Sequence, residues 1–386
     1  MGPRVCVLTS VHKPNSNRIF YRQCRTLARA GYEVTLIGPA TYVEEIRDGV
    51  RVLGVPPPSS RWHRPRTWVA LLRQAVRLQP DVVHFHDPEL LAIVPLLRLS
   101  LGRGVRIVYD VHEYVIDSIA HKVWIPASLR DPTAWLAGRV EGTLGRAVDG
   151  LVLVVEEQGP LYQNWAADRA IVHNYPEAAA FADPIPLPEF PADRFRLIYL
   201  GSLYARRGIM TMLQALSLVV REVPETLLIL GGAFETESFR AQVEAYIAEH
   251  DLDRHVVFLD WVEHSHLKNY LASADVAWLP GLWVKQYQRR SISTKLLECM
   301  LMGLPIVSSD HPHRRQFISE AQCGFSVTAD DPHAHAQAIL QLQRDRGERQ
   351  AMGERARELI LRKYTWETEA EVLLAYYERL LRKGEG

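Results

Sequence analysis

The sequence has few cysteines and no long hydrophobic run. The four cysteines among 386 residues are far apart and form no CxxC pair, which argues against a zinc site and a dense disulfide framework. The longest strongly apolar stretch, from Leu90 to Leu97, is much shorter than the ~20 residues that span a bilayer. The start of the chain shows no signal-peptide core. We therefore expect a cytoplasmic protein without a transmembrane helix.

Signature motifs of several enzyme classes are also absent. The turn after the first predicted strand, SVHKPNSNR, contains no glycine, so the GxGxxG fingerprint of NAD and FAD enzymes is missing. The sequence has no P-loop, no GxSxG elbow and no HExxH helix. These absences argue against dinucleotide enzymes, P-loop nucleoside triphosphatases, α/β-hydrolases and zinc proteases.

Histidines and carboxylates cluster near the ends of two predicted strands and raise the question of a metal site. The residues concerned are His84, His86, Asp87, Glu89, His112 and Glu113. Because consecutive residues of a strand face opposite sides, we do not expect all of them to converge on one ion. The prediction is that the protein has no metal.

Charge is balanced overall but unevenly distributed. There are 45 basic and 45 acidic residues, yet residues 1–106 carry 16 Lys and Arg against 7 Asp and Glu. Such a bias suits an anionic substrate, a membrane surface or nucleic acid. Nucleic acid is the least favoured partner, because the basic half has no recognition motif. The arginine- and tryptophan-containing stretch 61–78 is best interpreted as a sheet-covering helix, with peripheral contact to the inner membrane face as the alternative.

The chain length favours two domains, and short apolar runs alternate with amphipathic stretches in both halves. In the first half the predicted strands are 5–10, 33–39, 82–87, 106–112 and 151–156, and the predicted helices are 18–30, 66–78, 89–101 and 133–147. In the second half the predicted strands are 195–202, 226–232, 256–261, 275–280, 305–310 and 324–328. The helices predicted there are 208–222, 235–249, 265–272, 294–302, 333–343 and 346–363. The pattern predicts two α/β domains with doubly wound parallel sheets and a cleft between them.

Five prolines in residues 176–193 mark the expected linker. We therefore expect an N-terminal domain of residues 1–175 and a C-terminal domain of residues 194–365. A last amphipathic helix within 366–386 could belong to either domain and is expected to pack back on the first.

One candidate phosphate site opens the second domain, in the sequence LIYLGSLYARRGIMTML. Its strand ends at Gly201, and a loop with Arg206 and Arg207 leads to Gly208 and a helix. An anion can accept hydrogen bonds from the N–H groups of such a helix start, while arginine grips phosphate oxygens. An ordinary surface turn of the same composition is about equally common.

A second candidate lies in SISTKLLECMLMGLPIVSSD, where Lys295 and Glu298 share one helix face. Most Lys–Glu pairs of this kind are solvated surface contacts. This one begins a helix directly after a polar loop and before a core strand, which is where a ligand in the cleft would lie. The carboxylate could accept both hydroxyls of a ribose.

An ordered set of motifs extends over nearly the whole chain. It comprises HFHDPELL and VYDVHE in the first half, then YLGSLYARRG, SADVAWLP, STKLLECMLMGLPIVSSD and a terminal YTW helix. Together these motifs resemble the retaining GT-B glycosyltransferases of family GT4. The resemblance implies two Rossmann-like domains facing a cleft, with a nucleotide-sugar donor held mainly by the C-terminal domain and a hydroxyl acceptor mainly by the N-terminal one. It also implies retention at the anomeric carbon and no obligatory metal or other cofactor.

The resemblance assigns roles to individual residues. Arg207 matches the family's basic residue of the KG/RG turn, which contacts the donor phosphates. Glu298 matches the second glutamate of its E-x7-E motif, which binds the ribose. His112 matches the histidine that ends a first-domain strand near the donor sugar. We assign catalytic roles to His112, Arg207 and Lys295.

The remaining assignments concern the two substrates. The donor site is expected to include Gly201, Ser202, Arg206, Arg207, Val262, Ser293, Thr294, Lys295, Leu297 and Glu298. The acceptor site is expected to include His12, Asn17, Arg18, Asp87 and Glu89. The last two have an alternative role, because the sequence HDPE could equally cap and brace the helix that follows it.

Two positions depart from the family pattern. Eight residues before Glu298 stands Arg290 instead of glutamate, so the usual carboxylate for the donor sugar's hydroxyls is missing. Ser202 stands where many members have a second phosphate-binding arginine, which leaves charge neutralisation to Arg207 and Lys295, with Arg206 as a further candidate. These departures leave the identity of the donor open.

Other functions therefore stay open. A nucleotide-sugar epimerase or a sugar phosphorylase uses a similar two-domain cleft, and an epimerase would convert or hydrolyse the donor without an acceptor. A degenerate partner subunit, suggested by Arg290, would bind no nucleotide. For a transferase, UDP- and GDP-sugars are the expected donors, and a glycan, a glycolipid or a small molecule is a compatible acceptor.

Overall fold

The computed structural model describes residues 2–112, 114–120, 125–165, 168–283 and 292–382. Backbone contacts divide the chain into a first unit, Met1–Asn174 with Glu367–Gly386, and a second unit, Tyr175–Trp366. The segment 176–193, expected as a linker, belongs to the second unit. Its Phe181 and Phe190 are buried in the hydrophobic core of that unit.

The first unit contains one sheet. The described strands are β1 (Arg4–Leu8), β2 (Glu33–Pro39), β3 (Glu44–Arg47), β4 (Val50–Val55), β5 (Val82–Phe85), β6 (Arg106–Val111), β7 (Gly150–Leu153) and β8 (Asp168–Ile171). Their order is β3-β4-β2-β1-β5-β6-β7-β8, and neighbours are parallel except for the antiparallel pair β3 and β4. The sequence-based prediction contained β2 with its observed bounds and β1, β5, β6 and β7 with shifted ends, and it missed the other three.

Helices cover this sheet. A π-helical segment, Asn17–Cys24, continues into α1 (Arg25–Arg29) and is followed along the chain by α2 (Arg64–Leu78), α3 (Val94–Leu101), α4 (Val115–Ala120) and α5 (Ala127–Leu144). The strands beneath them are apolar on both faces, as all four residues of β5 and of β7 are buried. Burial on both faces is typical of parallel sheets with helices on each side.

The second unit contains a parallel sheet whose six described strands were all predicted. They are β9 (Phe195–Leu200), β10 (Thr226–Gly231), β11 (Val256–Leu259), β12 (Val276–Leu279), β13 (Ile306–Ser309) and β14 (Gly324–Val327). The helices are α6 (Ile209–Glu222), α7 (Glu237–Glu249), α8 (Leu267–Ala272), α9 (Thr294–Leu301), α10 (Pro312–Ala321), α11 (Pro332–Arg344) and α12 (Arg346–Lys363). The strand order β11-β10-β9-β12-β13-β14 is the doubly wound Rossmann order.

This topology fixes where ligands can bind. In a doubly wound sheet the chain reverses direction at a switch point, and ligands bind outside the carboxyl ends of the strands there. The switch point of the first unit lies between β1 and β5, and that of the second lies between β9 and β12. The loops after these four strands are therefore the places where the fold exposes functional side chains.

The last helix, α13 (Trp366–Arg382), packs on the first unit. Tyr376 and Tyr377 are fully buried, and the Tyr377 hydroxyl lies 2.7 Å from His84 Nδ1. Arg379 donates a hydrogen bond to Asp168 of β8 at 2.9 Å. In the described part of the chain, α13 and the other helices are all too short or too polar to cross a membrane.

Candidate functional site

The loop after β9 forms the first half of a cluster in the second unit, which comprises residues 201–208, Lys295 and Glu298. A Cβ atom at Gly201 would lie only 1.6 Å from Lys295 Nζ, so glycine is needed for the lysine to approach this turn. Gly208 has a φ of 76° and directly precedes α6. Its missing side chain also leaves room for Pro280, which follows β12. The segments that follow β9 and β12, the two strands at the switch point, are therefore in close contact at Gly208.

Lys295 belongs to the first turn of α9 and is half-buried in this cluster. Its ammonium lies over the ring of Tyr199, 5.5 Å from the centroid. Burial, reinforced by the nearby Arg207 guanidinium, lowers the pKa of Lys295 to about 8. Two cations thus repel each other beside the N-terminus of α6, and a bound anion would relieve that repulsion.

Glu298 lies one helical turn after Lys295 and is buried, with 7% of its surface exposed. Its Oε1 atom is 3.2 Å from Nε2 of His264, which follows β11. An almost buried carboxylate that ends beside a strand terminus is suited to accept hydrogen bonds from a polar ligand. The predicted residues Lys295, Glu298 and Arg207 are therefore brought into one region of the second unit.

Other predicted donor residues are placed differently. Arg206 donates to Glu235 at 2.9 Å and stacks on Tyr204, so its guanidinium is already engaged at the surface. The side chain of Leu297 is fully buried in the hydrophobic core and cannot contact a ligand, because packing against the sheet occupies it.

The smaller predicted residues stay at strand and helix ends. Ser202 follows β9 and accepts a hydrogen bond from the Tyr199 hydroxyl through its carbonyl oxygen. Val262 follows β11, and Ser293 and Thr294 form the start of α9, all partly exposed. Arg290, the departure from the family motif, lies outside the described residues.

The structure adds residues that the sequence reasoning missed. Arg314 is buried and donates to the carbonyl oxygen of Leu279 at 2.6 Å, at the end of β12. His311 Nε2 lies 3.0 Å from the carbonyl oxygen of Gly281, and its pKa is lowered to about 4 by burial and by Arg314. In the sequence, the run HPHRR directly after a core strand is the pattern from which these residues could have been identified. These residues shape the loop beside Gly208.

A second cluster, in the first unit, is centred on Asp110 at the end of β6 and includes Arg18, His84, His86 and His112. Asp110 is fully buried, and Arg18 donates to both of its oxygens at 3.0–3.2 Å. Burial alone would raise the pKa of Asp110, but the Arg18 charge and the neighbouring histidines outweigh burial and hold it well below its ordinary value. Arg18 was predicted to bind an acceptor; this pairing occupies it instead.

His112 lies at the open side of this cluster. Its Nδ1 atom is 3.6 Å from Asp110 Oδ1, and its Nε2 atom is 3.2 Å from Nε2 of His12. His12 Nε2 in turn lies 3.4 Å from Asp87 Oδ1. Carboxylate, imidazole, imidazole and carboxylate thus follow one another, both carboxylates are buried, and His12 is the more exposed of the two histidines between them.

Two of the six candidate metal ligands lie beside Asp110, which was not among the candidates. His84 and His86 are two residues apart and therefore share one face of the sheet, and their rings stack 4.9 Å apart. With Asp110 they offer three metal-ligand atoms within 4.8 Å. Burial lowers the pKa of His84 to about 4, so the imidazole is neutral. Because Arg18 already balances Asp110, the cluster does not need a cation for its charge, and the absence of a metal stays a prediction.

Asp87 and Glu89 brace the loop after β1. Asp87 Oδ2 accepts from the Thr9 hydroxyl at 2.8 Å and from the Ser10 N–H at 2.6 Å. Glu89 accepts from Ser10, Arg64 and Trp68 at 2.7–3.0 Å. Asp87 makes no cap to the following helical turn. The alternative role, capping of the following helix by Asp87, is therefore wrong, because the two carboxylates bind the loop after β1 instead.

The remaining predicted acceptor residue, Asn17, begins the π-helical segment and is partly exposed. It follows the same loop as His12. Of the five residues predicted for the acceptor, His12, Asn17 and Glu89 are partly exposed, while Asp87 and Arg18 are buried and hold the loop and the core together.

Comparisons with known proteins match both units. The family model described as "Glycosyl transferases group 1" matches residues 187–359, and the one described as "Glycosyl transferase 4-like domain" matches residues 16–176. The chain is 25% identical over 366 residues to a phosphatidyl-myo-inositol mannosyltransferase of Mycolicibacterium smegmatis, covering 93% of this chain and 88% of the relative.

Solved structures show the same fold. Sucrose-phosphate synthase from Thermosynechococcus elongatus superposes with a TM-score of 0.77 at 18% identity, covering 99% of this chain and 100% of that one. Anabaena HepE in complex with UDP-glucose superposes with a TM-score of 0.73 at 14% identity, covering 98% of this chain and 100% of that one.

Proposed function

Because the chain belongs to the group 1 glycosyltransferases and has their GT-B fold, we propose that it transfers a sugar, with retention, from a UDP- or GDP-sugar to a hydroxyl acceptor. The observation that carries the proposal is the pair of adjacent cations, Lys295 and Arg207, beside the Gly201 turn and the start of α6. This combination suits a diphosphate better than a neutral ligand.

In the proposed reaction the bond between the sugar's C1 and the diphosphate oxygen breaks, and the nucleoside diphosphate leaves with the bonding electrons. The acceptor oxygen forms the new bond to C1, and its proton is released. Charge grows on the leaving oxygen in the transition state, so cations fixed beside it lower the barrier. Lys295 and Arg207 have this role, and Glu298 holds the ribose hydroxyls.

His112 is proposed to contact the transferred sugar, as the resemblance implies. The new element is its support, because Asp110 lies behind the ring and Arg18 fixes Asp110. A fully buried carboxylate with two fixed hydrogen-bond partners cannot swing away from the imidazole. Asp110 and Arg18 are therefore positioning residues for His112.

The relatives support the nucleotide-sugar donor. The Anabaena structure contains UDP-glucose, and the Mycolicibacterium relative is named for mannosyl transfer to a phosphatidyl-myo-inositol. We also propose that transfer needs no metal, since Lys295 and Arg207 can supply the positive charge that a metal would bring.

The test is a transfer assay on the purified chain. UDP- and GDP-sugars labelled in the sugar are incubated with and without a panel of hydroxyl acceptors, with EDTA present, and products are separated and their anomeric configuration is read by proton NMR. We expect a product of unchanged configuration with one base family. Conversion of the donor to another sugar nucleotide without an acceptor would favour an epimerase, and no turnover together with no nucleotide binding would favour a non-catalytic partner.

A further inference from the structure

A cavity in the first unit lies apart from the buried Asp110 cluster and has no assigned role. It has a volume of about 570 Å³ and opens at the carboxyl ends of β1, β2 and β4. Such a volume is typical of small-molecule sites. Prolines form much of its wall, which makes the wall rigid because proline has a fixed φ.

The charged residues that line this cavity are all basic: Lys13, Arg47 and Arg64. Neutral polar groups from Ser10, Asn15, Thr41 and Tyr42 accompany them. No carboxylate is among the lining residues in the part of the chain that the structure describes. A pocket that combines cations and neutral hydrogen-bonding groups is suited to a polar ligand that carries a negative charge.

Two of the basic residues, Arg47 and Arg64, are held in place by glutamates. Glu45 accepts from Nε and Nη2 of Arg47 at 2.7–3.0 Å, and Glu89 accepts from Nη1 of Arg64 at 2.7 Å. Within the described contacts these bonds leave Nη1 of Arg47 and Nε and Nη2 of Arg64 for a ligand. Each arginine is thus held in position and still has N–H donors without a partner among the described contacts, because a guanidinium group has five donors.

Lys13 provides the net positive charge of the cavity. The two arginine charges are balanced by Glu45 and Glu89, whereas no acidic partner of Lys13 occurs among the described residues. Lys13 immediately follows His12, so the cavity adjoins the loop that leads to the His12–His112 contact. A ligand in the cavity would therefore contact the same loop that carries His12.

We propose that this cavity binds an anionic group of the acceptor, a phosphate monoester or diester attached to the polyol or sugar that receives the new bond. The proposal rests on the proposed transferase function and adds the class of acceptor. The phosphate can belong to a small molecule or to a lipid headgroup, since both present the same charge to Lys13 and the arginines.

The test compares matched ligands by equilibrium dialysis of the full chain with labelled glucose 6-phosphate and labelled glucose. We expect at least tenfold tighter binding of the phosphate ester, a preference lost in Lys13→Glu and kept in Lys13→Arg. The matched control is Arg73→Glu, an equal charge change at an exposed position of α2 outside the cavity.

A second arm tests the lipid source by sedimentation with vesicles of phosphatidylglycerol or of phosphatidylcholine. Binding to the anionic vesicles alone, lost in Lys13→Glu and kept in Arg73→Glu, would identify a lipid headgroup as the ligand.

Neither ligand nor vesicle binding, or equal effects of Lys13→Glu and Arg73→Glu, would overturn the proposal. Stabilisation of Lys13→Glu by donor nucleotides, measured in parallel, separates this failure from failure of the transferase function. If that stabilisation persists while the phosphate preference is absent, only the acceptor proposal fails.

Discussion

The clusters of the two units occupy equivalent places in their sheets and differ in charge balance: the first contains an ion pair and the second contains two adjacent cations. Both draw on residues that follow strands at or next to the switch point. In the first unit Asp110 is buried with its counter-ion Arg18, and burial lowers the pKa values of the neighbouring His84 and His86. In the second unit Lys295 is half-buried beside a second cation, and its pKa falls to about 8 as a result. The charges of the first cluster compensate each other, whereas in the second a bound anion would relieve the repulsion between the cations.

Removing the charge of Asp110 breaks the self-compensation and is expected to have the largest effect. Asp110→Asn leaves the Arg18 guanidinium buried without a counter-ion, which should lower the free energy of unfolding by about 3–5 kcal/mol. Urea unfolding measures this change. The double variant Asp110→Asn/Arg18→Met should recover much of the loss, because no lone charge remains. An unchanged stability of the single variant would contradict the pairing.

Removing Lys295 tests the role of the two adjacent cations in the second unit. Lys295→Ala should lower the rate of transfer at saturating donor by about 10²–10³-fold, as expected for a group that stabilises developing charge. The ligand-free variant should meanwhile be at least as stable as the parent, since mutual repulsion of cations is removed. Lys268→Ala, a lysine elsewhere in the same unit, is the matched control. A large loss of stability with unchanged rate would show that the lysine is structural.

The buried carboxyl group of Glu141 in the first unit sharpens the comparison. Burial raises the pKa of Glu141 to about 7, although the Tyr109 and Tyr162 hydroxyls donate to it. The folded state therefore binds more protons than the unfolded state between pH 4.5 and 7, and stability falls as the pH rises through this range. Glu141→Gln should remove this dependence and add about 1–3 kcal/mol at pH 8. The free energy of unfolding is measured in urea at several pH values, and an equal pH dependence in parent and variant would contradict the raised pKa of Glu141.

The smallest effect is expected at Arg206. Its surface pair with Glu235 is worth about 0.2–1 kcal/mol, and its guanidinium is engaged by that pair and by the Tyr204 ring. Arg206→Ala should therefore leave the transfer rate within about twofold, although the same substitution at Arg207 abolishes most of it. Similar losses in both variants, measured as initial rates, would place the two arginines in one site.

The sequence predicted most of the architecture because buried parallel strands are strongly apolar. All six strands of the second sheet were identified on this ground. The strands β3 and β4 were missed although Asp48 and Gly49, between two alternating runs, are a hairpin signal. The polar edge strand β3 lacks the apolar run on which the prediction depended.

The site could be predicted where it is local and not where it is assembled from distant residues. The turn at Gly201 and the pair Lys295 and Glu298 lie within short motifs. The ion pair of Arg18 and Asp110 joins residues 92 positions apart, and neither residue shows its partner in the sequence. The convergence of His86 on Asp110 depends on the register of β5 and β6, in which His84 pairs with Val108.

The central claim, that the second unit holds a nucleoside diphosphate beside Lys295, is tested most directly by thermal unfolding with UDP, GDP and their sugars. One base family at about 100 times its dissociation constant should stabilise the parent by about 2.7 kcal/mol. We expect the same stabilisation in the control Lys268→Ala and its loss in Glu298→Ala and Arg207→Ala. No stabilisation of the folded parent by any nucleotide, or equal stabilisation of all four proteins, would contradict the claim.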